Sequence, residues 1–266
     1  MTLLMGVMLK LFFILICLFY AGHTYSQDKW LFVTEPFPPY FSEQLPQQGW
    51  LADIIITALA SQDIEASIEF TTWARALRLL EKNKRTALLG AYYSAEREKT
   101  FHYSRPLAKS FTGLFKRKSS KINYDGSLTS LQPYSISKGS NYIVSEGFSS
   151  EHNLAITATN DLISSLRVLQ LGRVDLVAGT KEVGEYWLNN HPQLQTGQSI
   201  VYIPPHLASH YLYIIFSKSA VQSKQQLIQL ENGFNTIVNN GEAAQVLLSH
   251  GFSEAKTEQY LQFLKR

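Results

Sequence analysis

The apolar positions of this chain fall into short continuous runs and into repeats of helical period, and the two kinds follow one another in α/β order. Lys29 to Thr34 (KWLFVT) predicts a first strand. Leu51, Ile54, Ile55, Ala58 and Leu59 recur at helical spacing and predict a helix over Leu51 to Ser61, introduced by Gly49. Ala66 to Phe70 alternates as a second strand. A helix follows, with Thr71 or Thr72 as N-cap and Trp73, Leu77 and Leu80 on its buried face. Ala87 to Leu89 is a short apolar run that suits a buried parallel strand, and Gly90 lets the backbone leave it sharply. Phe101 to Leu107 is expected as a loop, Phe111 to Lys116 as a strand and Lys116-Arg117-Lys118 as the start of a solvated linker. Residues 119–132 are polar, with a turn at Asp125-Gly126. Tyr134 to Ser137 predicts a strand, and Lys138 to Tyr142 the start of a helix.

The second half repeats the order. Ile156 to Thr159 is a strand, Asp161 caps a helix that runs to Gly172, Asp175 to Gly179 is a strand, and Lys181 to Asn190 is a helix stopped by His191-Pro192. Val201 to His206 is extended and holds Pro204-Pro205, and Leu212 to Phe216 is an apolar strand. The end is helical over Ser223 to Asn239, Glu242 to Ser249 and Glu254 to Leu264. One internal echo stands out: LRLLEKNKRTALLG from Leu77 to Gly90 and LRVLQLGRVDLVAG from Leu166 to Gly179, without a gap at an offset of 89 residues. Each is a helix end, a basic turn, a strand and a glycine. Chance similarity between helix–turn–strand units is one explanation; two lobes of similar build are the other.

The N-terminus changes the picture. Lys10 is the only charged side chain in the first 26 residues, and Leu11 to Tyr20 (LFFILICLFY) is an apolar run short for a membrane span. Small and polar residues follow up to Ser26, so residues 1–26 are expected to be a cleaved secretion signal, with an uncleaved anchor as the alternative. The sole cysteine, Cys17, lies inside that run behind Ile16, which is too large for a lipid-attachment site, so the mature chain of 240 residues has neither disulfides nor thiol chemistry. Its net charge falls from +3 to +2, too mild for a nucleic-acid binder. A soluble protein outside the cytoplasm is expected.

Candidate chemistry gathers after Gly90. Tyr92, Tyr93, Ser94 and Arg97 follow within seven residues, at the carboxyl end of a predicted strand, where open α/β sheets bind ligands. Arg97 offers a planar, permanently charged fork suited to a carboxylate. The alternative is an Arg97 paired with Glu96 or Glu98 on a solvated face. Glu35-Pro36-Phe37-Pro38-Pro39-Tyr40-Phe41 is an aromatic loop held extended by its prolines, either a pocket wall or a plug over the core. The seven histidines are scattered, and no metal site or cofactor is expected.

In order, these parts resemble the bacterial extracellular solute-binding proteins of family 3, the polar-amino-acid type that feeds ABC importers. The resemblance rests on Pro38 to Phe41, Gly49 opening a helix, Trp73 ahead of Ala76-Leu77, the Gly90-to-Arg97 loop, Ser137-Lys138-Gly139-Ser140 and Leu171 to Asp175. It implies an α/β, two-lobed periplasmic-binding-protein fold of type II, each lobe a mixed sheet flanked by helices. One lobe would be residues 27–114 plus 214–266 and the other 118–211, joined by strands crossing near Phe111 to Lys116 and Tyr211 to Phe216. It further implies a monomer without enzymatic activity that closes by hinge motion over a small-molecule ligand, with ABC permease subunits as partners. By resemblance, Phe37 and Trp73 sandwich the ligand, with Tyr40 in the same loop. Arg97 grips an α-carboxylate, Gly90, Tyr92, Tyr93 and Ser94 add contacts, and Ser140 and Asn141 contribute from a helix start. Two positions depart from the pattern. Thr86 replaces a usual aspartate, with a structural effect expected. Thr180 replaces the aspartate that faces an α-ammonium in amino-acid binders, and only Glu182, two residues on, could compensate.

The resemblance carries two alternatives. Cyclohexadienyl dehydratases are built similarly, and Glu182, His102 or Lys138 could serve such an enzyme as general acid. A sensory ligand-binding module is the other; with no signalling segment before Arg266, its partner would act in trans.

Overall fold

A computed structural model describes residues 29–148, 153–194 and 199–265; the expected secretion signal lies outside them. The first lobe begins with β1 (Trp30–Thr34), whose Phe32 and Val33 are wholly buried because the strand has neighbours on both sides. It pairs in parallel with β2 (Ala66–Phe70) and β3 (Ala87–Ala91). Helix α1 (Trp50–Ala60) packs Leu51, Ile54, Ile55 and Leu59 against this sheet, as its helical spacing requires. Helix α2 (Trp73–Glu81) covers the other face with Trp73, Ala76 and Leu80, while Leu77 is only partly buried. Thr86, at the foot of β3, accepts a hydrogen bond from the Leu31 N–H through its hydroxyl (3.1 Å), a structural role.

Ser94 caps the short helix α3 (Ala95–Thr100) by accepting from the Arg97 N–H. The expected loop after it begins instead with a strand, β4 (Phe101–Tyr103), because the last long strand of the chain leaves an edge that these three residues pair with. Strand β5 (Ala108–Arg117) leads to the second lobe. There β6 (Ser135–Gly139) pairs in parallel with β7 (Ala155–Thr159) and β8 (Leu176–Thr180). Helices α4 (Leu162–Gln170) and α5 (Lys181–Asn190) bury Leu162, Leu166, Leu169, Val183 and Trp187 against Phe115 and Val177. The side chain of Asp161 caps α4, accepting from the Ser164 N–H at 2.7 Å. The offset of 89 carries both ends of α2 and β3 onto both ends of α4 and β8. The echo therefore marks the same unit in each lobe.

Three expectations for the second lobe need correction. No helix starts at Lys138 to Tyr142. The chain makes a turn there with Asn141 left-handed (φ 61°), a conformation that stops a helix and that asparagine tolerates better than most residues. The basic run is not a solvated linker: Lys116 donates to the Ser120 and Ile122 carbonyls, and Arg117 to those of Leu169 and Val174. Finally, Val201 to His206 and Leu212 to Phe216 are one strand, β9 (Ile200–Ser217), paired with β5 on both sides of a register shift between Thr112 and Leu114. Pro204 and Pro205 fall in the unpaired stretch, where their missing N–H groups cost no ladder bond.

Strand β9 returns to pair with β3 and β4, giving a nine-stranded sheet in the order β2-β1-β3-β9-β5-β8-β6-β7 with β4 on β9. The paired β5 and β9 thus carry the chain between two mixed α/β lobes. Helices α6 (Ser223–Asn239), α7 (Glu242–Ser249) and α8 (Glu254–Leu264) close the first lobe, at the bounds their spacing predicts. Gly233 of α6 lies against the Ala58 backbone of α1, where an added Cβ would stand 2.2 Å from the carbonyl oxygen. Backbone cannot swing aside as a side chain can. Gly233→Ala is expected to lose about 2 kcal/mol of stability despite alanine's better helix propensity, read from urea unfolding.

Candidate functional site

The carboxyl ends of β1 and β3 and the start of α2 meet the second lobe around a narrow cavity of about 40 Å³. The first lobe lines it with Thr34, Glu35, Phe37, Phe41, Trp73, Leu89, Gly90, Tyr92 and Arg97. The crossing strand β5 adds Thr112, and the second lobe contributes Tyr142, Ile143, Val144, Gly179 and Thr180. Gly90 is required by its backbone (φ 80°) and by the Phe41 ring, which an added Cβ would meet at 2.4 Å.

Arg97 is the charge of this wall. Its guanidinium lies 5.3 Å over the Trp73 ring, a cation–π contact. One terminal nitrogen donates to the Tyr92 carbonyl (3.2 Å), and the other crosses the cleft to the Asn141 carbonyl (3.0 Å). The neighbouring acids are taken by others: Glu96 by Lys99 at 2.8 Å, and Glu98 by the Tyr93 hydroxyl at 2.6 Å. Among the described residues no carboxylate forms an ion pair with Arg97. The solvated-face alternative therefore does not hold. Burial lowers the Arg97 pKa somewhat, which leaves an arginine cationic.

Glu35 was not singled out by its sequence context. It is 6 % exposed, and its carboxyl takes a hydrogen bond from the Tyr142 hydroxyl across the cleft. Burial pushes its pKa up to about 8 against the opposing pull of that hydrogen bond, and the Asp161 charge pushes the same way. Its place at the end of β1, beside the end of β3, was the available signal: both strand ends open on one cleft. On the far side of the Glu35–Tyr142 contact lies a larger recess of about 370 Å³, walled in part by Thr71, Thr72, Asp161 and Trp187.

The second lobe supplies neutral groups. The Thr180 hydroxyl is 2.8 Å from that of Tyr92, which also meets the Ser110 hydroxyl at 2.9 Å. Burial pushes the Tyr92 phenol up to about 12. Its ring stacks on His210 (4.3 Å between centroids), and His210 and Thr112 both bond the Val144 carbonyl. Burial lowers the His210 pKa, favouring the neutral ring.

Of the residues expected at the site, Phe37, Trp73, Gly90, Tyr92, Arg97 and Thr180 meet around the cavity. The Phe37 ring stacks on Tyr40 and Phe41, and the Trp73 face carries Arg97. Tyr40 is buried beneath, its hydroxyl on the Lys109 carbonyl. Tyr93 is 48 % exposed and faces Glu98. Ser94 is a helix cap. Ser140 and Asn141 stand on a turn rather than a helix start, and the Asn141 carbonyl accepts from Arg97. Glu182, in the first turn of α5, accepts from the Phe111 N–H at 3.3 Å. Among the proposed general acids, Lys138 is occupied by the Tyr142 carbonyl and His102 lies on β4, so neither is in the wall.

Two lobes on paired crossing strands, with a lined cavity between them, define a two-lobed periplasmic-binding-protein fold. Comparison with known proteins bears this out. No family model and no curated protein matches the chain. Among solved structures, a mutant of ArgBP from T. maritima superposes with a TM-score of 0.70 at 16 % identity, covering 84 % of this chain and 94 % of that one. The arginine-, lysine-, histidine-binding protein ArtJ from Geobacillus stearothermophilus gives 0.71 at 16 %, covering 90 % and 100 %. A histidine kinase sensor domain with similarity to periplasmic binding proteins gives 0.73 at 14 %, covering 84 % and 96 %. At these identities the shared property is the fold. Among the described residues, no helix is long and apolar enough to cross a membrane.

Proposed function

We propose that this chain is a periplasmic solute-binding protein that captures a small carboxylate-bearing molecule between its lobes for an ABC importer, after loss of a secretion signal near Ser26. The observation that carries the reading is Arg97: a partly buried guanidinium, held over Trp73, without a carboxylate partner among the described residues, at the wall of the interlobe cavity. A bound carboxylate would neutralise it, and closure of the lobes would shield the pair from water. The names of ArgBP and ArtJ, which share the fold, support a small ligand with a carboxyl group.

Thermal unfolding of the secreted chain with a panel of amino acids, small organic acids, peptidoglycan fragments and prephenate tests this. A ligand at a hundredfold excess over its Kd adds about 3 kcal/mol. The expected hits all bear a carboxylate. Hits confined to neutral or cationic compounds contradict the reading.

One observation favours a second reading, an enzyme on this scaffold. Glu35 keeps its proton at neutral pH inside the cavity wall, as a general acid must. With prephenate it would protonate the leaving hydroxyl, which departs as water while a carbon–carbon bond breaks and carbon dioxide leaves, giving phenylpyruvate. Solvent would then restore the proton. Carbon dioxide release from prephenate, lost in Glu35→Gln, would establish this reading; none from the wild-type protein excludes it.

A further inference from the structure

Resting on the carboxylate reading, we propose that the acid taken by this cleft lacks an α-ammonium group: it is a compact monocarboxylate with an apolar body, of the 2-oxo or 2-hydroxy acid class, and not an amino acid. The argument is a count of charges and free hydrogen-bonding groups. Arg97 brings a positive charge to the cavity wall, and the wall's single acid is Glu35. The Glu35 carboxyl is already engaged by Tyr142, and burial keeps it protonated and neutral around pH 7. The nearest further acids lie outside the cavity lining, although after burial the charge of Glu182 acts on Tyr92 and that of Asp161 on Glu35. Asp161 caps α4 and faces the larger recess, and Glu182 holds the Phe111 N–H. Lys138, near enough to Arg97 for the guanidinium to lower its pKa further after burial, adds to the positive field.

The neutral groups point the same way. The Thr180 hydroxyl is tied to Tyr92 and the Thr112 hydroxyl to the Val144 carbonyl; neither carries charge. The Trp73 indole N–H is buried without a partner, so this wall residue lacks an acceptor rather than a donor. An ammonium next to the carboxylate would lose its hydration and meet no ionised carboxylate in the lining, whereas an uncharged oxygen there needs none. Phe41, Leu89, Ile143 and Val144 supply an apolar surface for the rest of the molecule.

The test is titration calorimetry on the wild-type chain with matched compounds: phenylpyruvate against phenylalanine, 4-methyl-2-oxopentanoate against leucine, and the methyl ester of each oxo acid. The oxo acid of at least one pair is expected to bind on the order of a hundredfold more tightly than its amino acid, with its ester weaker still. Amino acids that bind as tightly as the oxo acids, or more so, overturn the inference and leave the carboxylate reading standing. Esters that match the acids overturn the carboxylate reading itself. Failure of all these compounds to bind counts against the proposed class. Thr180→Asp places a carboxylate beside Tyr92 and is expected to shift the ratio at least tenfold toward the amino acid; an unchanged ratio in a folded variant contradicts the charge account.

Discussion

Replacing Arg97 with alanine is expected to cost carboxylate binding about 3 kcal/mol, a loss of affinity of a hundredfold or more. The size follows from the setting. The guanidinium stands over Trp73 and across from lobe two, so a ligand carboxylate held between closed lobes would meet it partly shielded from water. The substitution also removes the bond from Arg97 to the Asn141 carbonyl, which joins the lobes. Arg97→Lys separates the two contributions. A lysine keeps the charge but cannot make the planar fork, so an intermediate loss is expected. Titration calorimetry, with circular dichroism to confirm folding, reads both. An unchanged affinity in Arg97→Ala would mean that the cleft is read by other groups.

The second large effect belongs to Glu35. In the unfolded chain its carboxyl ionises near 4.5, and in the folded chain near 8. Between those values the folded state holds a proton that the unfolded state has lost. Glu35 therefore lets stability fall as pH rises from about 4.5 to about 8, by roughly 1.4 kcal/mol per unit at most, and contributes no further slope above that. Glu35→Gln keeps a hydrogen-bonding group for Tyr142 and removes the titration. The variant is expected to match the wild type near pH 5 and to exceed it at pH 8 by several kcal/mol, on the order of the folded-state shift. Urea unfolding at the two pH values measures this. A constant difference between the proteins would show that Glu35 is ionised in the folded state, and would remove both the general-acid reading and one support for an ammonium-free ligand.

Much of the fold was legible in the sequence. The three C-terminal helices and α5 are amphipathic and sharply ended, and their spacing alone locates them. The 89-residue echo located a helix–strand unit in each lobe. What escaped depends on long-range pairing. Strand β4 is three residues of mixed polarity that exist as a strand only because β9 passes beside them. The unity of β9 was hidden by Pro204-Pro205, which interrupts the pattern but not the strand's course along β5. The turn at Asn141 looked like a helix start because Gly-Ser after a strand is common to both.

The site divides in the same way. Arg97 and Trp73 were visible from residue type and place in the order of elements. Whether Arg97 paired with Glu96 or Glu98 could not be read from spacing, since the competition is settled by Lys99 and Tyr93. Glu35 was invisible because burial, not neighbouring sequence, sets its chemistry, and the hydroxyl bonded to it belongs to Tyr142, more than a hundred residues away.

The most direct measurement is a crystal structure of the chain with the strongest acid from the panel. The account predicts the ligand's carboxylate oxygens within about 3 Å of the Arg97 guanidinium, between the two lobes. A ligand seated in the larger recess beyond Glu35 and Tyr142, with Arg97 still bonded to the Tyr92 and Asn141 carbonyls and no carboxylate beside it, would contradict it.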